Sequence, residues 1–92
     1  MKKRNIKQIL ISELSLQKVY LNSEDNNHFH LIAIGNIFNN LNSLEKEQII
    51  YKVLMDYIIN GDIHAISIKT FTPNEWLENA NLYKKTIKKN IE

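Results

Sequence analysis

Three histidines, His28, His30 and His64, are the residues of this chain best suited to chemistry, and no cysteine accompanies them. Without cysteine there is no disulfide, no thiolate metal site and no thiol nucleophile. Imidazole serves as a general base, a pH-sensitive group or a metal ligand. His28 and His30 stand two apart in an alternating run, which sends both side chains to one side of a strand in a spacing that suits a metal chelate. A standalone metal site needs a third ligand, and none stands near them in sequence. On spacing alone, His64 is a strand-end histidine beside Ile66, satisfied by a backbone carbonyl. Catalysis finds little to work with: no nucleophile has a base at a recognisable spacing, and there is neither a Gly-rich phosphate loop nor a carboxylate pair. With only Gly35 and Gly61, the chain also lacks the GXXG loop by which nucleic-acid-binding KH domains clamp a backbone.

Six elements must position those residues. Ile6, Ile9, Leu10 and Leu14 recur at helical spacing and predict a helix over residues 3–14, ending near Ser15. A short strand over 18–22 carries Val19 and Leu21 on one face. Five turn-formers at 23–27 then make a hairpin loop. The second strand, 28–35, sets Phe29, Leu31 and Ala33 on one face and His28, His30, Ile32 and Ile34 on the other. Residues 35–42 are irregular, with Phe38 as a core anchor. Asn42 and Glu45 form a helix-start signature, and Leu44, Gln48, Tyr51, Leu54 or Met55, and Ile58 give the stripe of a long helix that Asn60-Gly61 closes.

A third strand follows, in which Ile66 and Ile68 alternate with Ser67 and Lys69. Thr72-Pro73-Asn74-Glu75 reads as a capping box with Pro73 at the first helical position. Leu77 and Leu82 continue the apolar side of this last helix, and Trp76, Phe71 and Tyr51 are assigned mostly to packing. The order helix, strand, strand, helix, strand, helix predicts an α+β fold: a three-stranded mixed sheet with the helices packed on one face.

Ninety-two residues make one domain with a core that needs no staples. Residues 1–83 are read as that domain and 84–92 as a basic, disordered tail. The net charge is +2, with Lys2, Lys3, Arg4 and Lys7 at one end and Lys84, Lys85, Lys88 and Lys89 at the other. Such ends can touch nucleic acid, but solvated termini are the commoner explanation. Ile, Asn and Lys abound, as AT-rich codons produce, so surface Asn and Lys are weak indicators of function. No apolar run reaches bilayer-spanning length, and Met1-Lys2-Lys3-Arg4 is followed by no signal-peptide h-region. A cytoplasmic protein without a membrane partner is expected.

At this point a resemblance enters. His28-Phe29-His30-Leu31-Ile32-Ala33-Ile34-Gly35, Phe38, Gln48, Tyr51, Leu54-Met55-Asp56-Tyr57-Ile58, Ile63-His64-Ala65-Ile66-Ser67-Ile68-Lys69 and Thr72-Pro73-Asn74-Glu75-Trp76 resemble the BolA family, and within it the short bacterial branch called IbaG. The likeness spans residues 6–83. It implies a class II KH-like fold and partnership with a monothiol glutaredoxin carrying a glutathione-ligated [2Fe–2S] cluster. The residue matching the family's cluster histidine is His64, with thiolates supplied by the glutaredoxin and by glutathione. An imidazole in place of a thiolate raises a cluster's potential, as in Rieske centres.

Two departures stand out. The loop at 23–27 is short and bears no second His or Cys ligand, so His28, at the strand's start, is at most an auxiliary ligand. Phe38-Asn39-Asn40 also lacks the glycine relatives usually have, although Asn tolerates left-handed backbone.

These readings combine into an expectation of a non-enzymatic accessory protein of iron–sulfur cluster trafficking. It would hold no cluster alone. Its partner surface would be made by Ile63, His64, Ala65, Lys69, Thr72 and Pro73, and the capped helix after Pro73 would limit how far the surroundings of His64 relax. The alternatives are a nucleic-acid-binding stress-response transcriptional regulator and a structural interaction module. A homodimer stays open.

Overall fold

The computed structural model describes residues 3–23 and 28–83. Residues 1–2, most of the hairpin loop expected at 23–27, and the tail expected at 84–92 lie outside the described residues. In chain order the elements are α1 (Lys3–Leu14), β1 (Lys18–Ser23), β2 (His28–Ile34), α2 (Ser43–Ile59), β3 (Ala65–Phe71) and α3 (Pro73–Asn79), with 3-10 turns at Asn36–Phe38 and Ala80–Tyr83. The sheet order is β1-β2-β3, with β1 antiparallel and β3 parallel to the central strand. This is the α+β fold with a three-stranded mixed sheet that the pattern predicts.

Local signals set the element boundaries. Ser15 takes φ 52, and the Leu16 N–H donates to the Ile11 carbonyl at 3.3 Å, the long bond of a Schellman stop for α1. Asn42 and Glu45 exchange backbone-to-side-chain bonds of 3.0 and 2.8 Å at the head of α2. Asn40 sits at φ 65, the left-handed conformation expected of an Asn in place of glycine.

The core lies between the sheet and the pair α1 and α2. It joins Ile6 and Leu10 to Val19, Leu21, Phe29, Leu31 and Ala33, and to Ile50 and Leu54. The α2 stripe runs through Ile50, Val53, Leu54, Tyr57 and Ile58; Leu44 and Met55, placed on it by sequence, are exposed. This helix carries more apolar residues than one face can hold, so spacing leaves its phase ambiguous until the sheet selects it.

The helices are not all on one face, which corrects the sequence expectation. By strand alternation Ile32 and Ile34 point away from that core, yet they are only 2% and 3% exposed. They are covered from the other side, where Trp76 of α3 lies 5.6 Å from the Tyr20 ring and 5.3 Å from that of Phe71, and Tyr83 meets Phe71 edge-on at 5.4 Å. Trp76 and Tyr83 make the covering side of this last segment. Leu77 and Leu82 are 81% and 77% exposed, contrary to the sequence reading, because the helix turns its aromatic residues toward the sheet.

The start of α3 is built as the sequence predicts. The Thr72 N–H donates to Glu75 Oε1 at 2.8 Å and the Glu75 N–H to Thr72 Oγ1 at 3.2 Å. The Thr72 backbone bond outweighs the opposing cost of burial and, with the charge of Lys46 and the Thr72 hydroxyl, lowers the Glu75 pKa below the ordinary carboxylate value. A pKa lowered by folding contributes stability that is complete above the unfolded carboxylate range and lost as pH falls through the folded value. Replacing Thr72 by Ala should therefore cost about 1 kcal/mol near neutral pH. In urea titrations, the gap between wild type and Glu75→Ala should narrow as the pH drops below the carboxylate range.

Candidate functional site

His64 stands between two backbone anchors. Helix α2 ends in a full Schellman motif: Gly61 adopts φ +83, its N–H donates to the Ile58 carbonyl at 3.1 Å, and the Asp62 N–H to the Tyr57 carbonyl at 2.9 Å. The Ile63 N–H also reaches the Tyr57 carbonyl at 3.2 Å, and the Ile63 side chain is 2% exposed within the core. On the far side, Ala65 opens β3 in parallel register with His28. His64 is the one residue between these constraints, and it is exposed. A fixed backbone with a solvent-facing imidazole suits donation to a group outside the chain.

The register decides which predicted residues come together. His28, paired with Ala65, lies beside the start of β3, so the backbones of His28 and His64 meet at one end of the sheet. Its ring stacks on that of His30 with centroids 4.8 Å apart and an interplanar angle of 19°, and its Nε2 is 3.2 Å from Ser67 Oγ. Ala65 and Lys69 are exposed along β3. Ile63, expected at a partner surface, is withdrawn into the core and acts as the anchor beneath His64.

Thr72 and Pro73 sit at the opposite end of β3. Six residue steps separate Ala65 from Phe71, roughly 20 Å at strand rise. The capped helix after Pro73 therefore does not hold the surroundings of His64; the C-terminal cap of α2 does. Pro73 instead lines a groove of about 280 Å³ with Gln17, Lys18, Ile34, Trp76 and Leu77. Sequence reasoning missed Asn22 and Ser67, which flank His30 in register. Strand alternation placed each on the outward face, but only the pairing places them beside the histidines.

The histidines do not form a conventional metal cage. Among the described residues no group of three or more His, Asp or Glu side chains could hold a metal ion. With no cysteine in the chain, a [2Fe–2S] cluster, whose terminal positions are ordinarily filled by four thiolates, would find one or two imidazoles here and no sulfur ligand.

The family profile described as BolA-like protein matches residues 2–75. This chain belongs to the BolA family. It is 42% identical over 82 residues to acid stress protein IbaG of Escherichia coli strain K12, covering 89% of this chain and 96% of that protein. An uncharacterized protein of Buchnera aphidicola subsp. Baizongia pistaciae is 48% identical over 71 residues, 77% of this chain and 89% of that one. The solution structure of BolA1 from Mus musculus superposes with a TM-score of 0.76 at 23% identity, over 85% of this chain and 70% of that chain, a likeness of fold. None of the helices among the described residues is long and apolar enough to cross a membrane.

The anchoring of His64 is testable through its two neighbours. A Cβ at Gly61 would meet nothing within 4 Å, so Gly61→Ala should cost only the backbone strain of positive φ, about 1 kcal/mol. Ile63→Ala should cost more, about 2–5 kcal/mol, by opening a core cavity. Urea denaturation measures both, and hydrogen exchange should accelerate at the Asp62 and Ile63 amides in each variant.

Proposed function

We propose that this BolA-family chain is a non-enzymatic accessory protein of iron–sulfur cluster trafficking. It acts in the cytoplasm as a heterodimer with a monothiol glutaredoxin. In that complex His64 supplies an imidazole to a [2Fe–2S] cluster whose thiolates come from the glutaredoxin and from glutathione, and His28 is the auxiliary donor from this chain. The observation that carries the reading is the exposed His64 imidazole, mounted between the cap of α2 and the start of β3 in a chain with no thiolate of its own. Bound there, the cluster would gain the higher potential that imidazole ligation confers.

Two further observations support the reading. Strand β3 is an edge of the sheet, with Ala65 and Lys69 exposed along it, which leaves room for a partner to dock against the strand. A partner that also reached Thr72 and Pro73 would cover the whole strand, a span in keeping with a standard-size protein interface. The name of the Escherichia coli relative, acid stress protein, is consistent with a ligand that coordinates only when neutral.

The test is to reconstitute the cluster on the glutaredoxin with glutathione and to record visible circular dichroism with and without this protein. Addition of the wild type should change the spectrum and His64→Ala should not. Acidification should reverse the change, because protonation of the imidazole removes the lone pair. An unchanged spectrum with the wild type, or the same change with His64→Ala, would sink the proposal.

A further inference from the structure

The stop of α2 places a chemically labile peptide in the segment that mounts His64. Among the many asparagines of this chain, Asn60 alone is followed by glycine. The backbone nitrogen of the residue after an asparagine can attack the asparagine Cγ, and a side chain on that residue obstructs the approach. Glycine has none. Asn60 and Gly61 are both exposed, and a Cβ placed on Gly61 would meet nothing within 4 Å, so base and water reach this peptide freely. The cap opposes the attack in two ways. The Gly61 nitrogen must lose its proton to become a nucleophile, yet its N–H is donated to the Ile58 carbonyl at 3.1 Å. Closing a five-membered ring also requires that nitrogen to lie nearly eclipsed with the Asn60 Cβ about the Cα–C bond. Asn60 instead holds helical backbone, φ -75 and ψ -6, which keeps the two well apart.

We infer that Asn60 is a site of spontaneous deamidation, gated by opening of the α2 cap. Once the cap opens, the deprotonated Gly61 nitrogen bonds to Asn60 Cγ, and the bond from Cγ to the side-chain nitrogen breaks with release of ammonia. The result is a cyclic imide. Water then cleaves one of its two carbonyl–nitrogen bonds. Breaking the bond at Cγ gives an aspartate, whereas breaking the bond at the main-chain carbonyl leaves Gly61 attached through Cγ, an isoaspartate. Water is the only co-reactant, and nothing is oxidised or reduced. Both products weaken the cap. Each adds a carboxylate at the C-terminus of α2, where the helix dipole disfavours negative charge. Isoaspartate also inserts an extra carbon into the main chain ahead of Gly61. The bonds from the Gly61, Asp62 and Ile63 amides to the Ile58 and Tyr57 carbonyls then lose their spacing. The backbone mount of His64 is loosened by the same step.

This inference rests on the cap and not on the cluster reading, and its test needs only the full chain. The protein is aged at mildly alkaline pH, folded or unfolded in guanidinium chloride, and peptide mass spectrometry follows each asparagine. Hydrogen exchange of the Gly61 amide measures cap opening independently. In the unfolded chain Asn60 should react faster than any other asparagine. In the folded protein its loss should slow by about tenfold or more, as for a segment whose open form is sparsely populated. Sub-denaturing guanidinium should then raise that loss in step with Gly61 exchange. Asn60→Gln, which would have to close a six-membered ring, should stay intact at this position. Aged wild type should exchange faster at the Asp62 and Ile63 amides, and Asn60→Gln aged alongside it should not. Persistence of Asn60 in the unfolded chain would overturn the assignment. Equal rates in the folded and unfolded chains, or loss that does not follow Gly61 exchange, would overturn the gate. Unchanged Asp62 and Ile63 exchange in deamidated protein would overturn the loosening of His64.

Discussion

Strand β2 is hydrogen-bonded along both edges and carries apolar side chains on both faces, so the rest of the chain is arranged to keep water off it twice. Phe29, Leu31 and Ala33 meet α1 and α2, while Ile32 and Ile34 require a second cover. Fully burying an isoleucine contributes about 1.5–3 kcal/mol, and the two together justify a dedicated layer. That layer is aromatic: Trp76, Tyr20, Phe71 and Tyr83 form a chain of ring contacts 5.3–6.0 Å apart, each able to add about 0.5–1.5 kcal/mol beyond area alone. The capping box at Thr72 and Glu75 starts α3 directly after β3, which delivers Trp76 onto Tyr20.

The aromatic cover reaches only part of the outward face. Toward the start of β2 the apolar residues give way to His30 and His28, with Asn22 and Ser67 alongside. The outward face of the same strand is therefore apolar at one end and polar at the other. Its parallel partner repeats the division: β3 ends at the α3 junction and begins at His64. His28, His30 and His64 collect at the end that α3 leaves open, beside the cap of α2.

That cap explains how a solvent-facing histidine is held without being buried. Gly61, Asp62 and Ile63 spend their backbone N–H groups on the last carbonyls of α2, so those carbonyls are satisfied and the following chain is aimed in one act. Ile63 then adds side-chain burial. A ligand on such a mount loses little further freedom when it binds, which is the advantage of a preorganised donor.

Much of this was legible in the sequence. Both capping boxes, the Gly61 stop, the two faces of β2 and the order of elements follow from local rules, because hydrogen bonds between residues three or four apart depend on nothing remote. The His64 motif, read through family resemblance, pointed to the same end of the sheet. The α2 phase, the face chosen by α3 and the exposure of Leu77 and Leu82 were not legible, since each is decided by which of several apolar residues finds a neighbour across space. Nor was the pairing of Asn22 with His30, or that β3, roughly 20 Å from Ala65 to Phe71, puts Pro73 at the far end of the strand from His64. Periodicity tells which residues share a face of one element, and only the register between elements tells which faces and ends meet. For the histidines, sequence determined the residues and the strand that carries them, and tertiary structure decided their neighbours, because coordination and docking depend on distances between strands that no single segment contains.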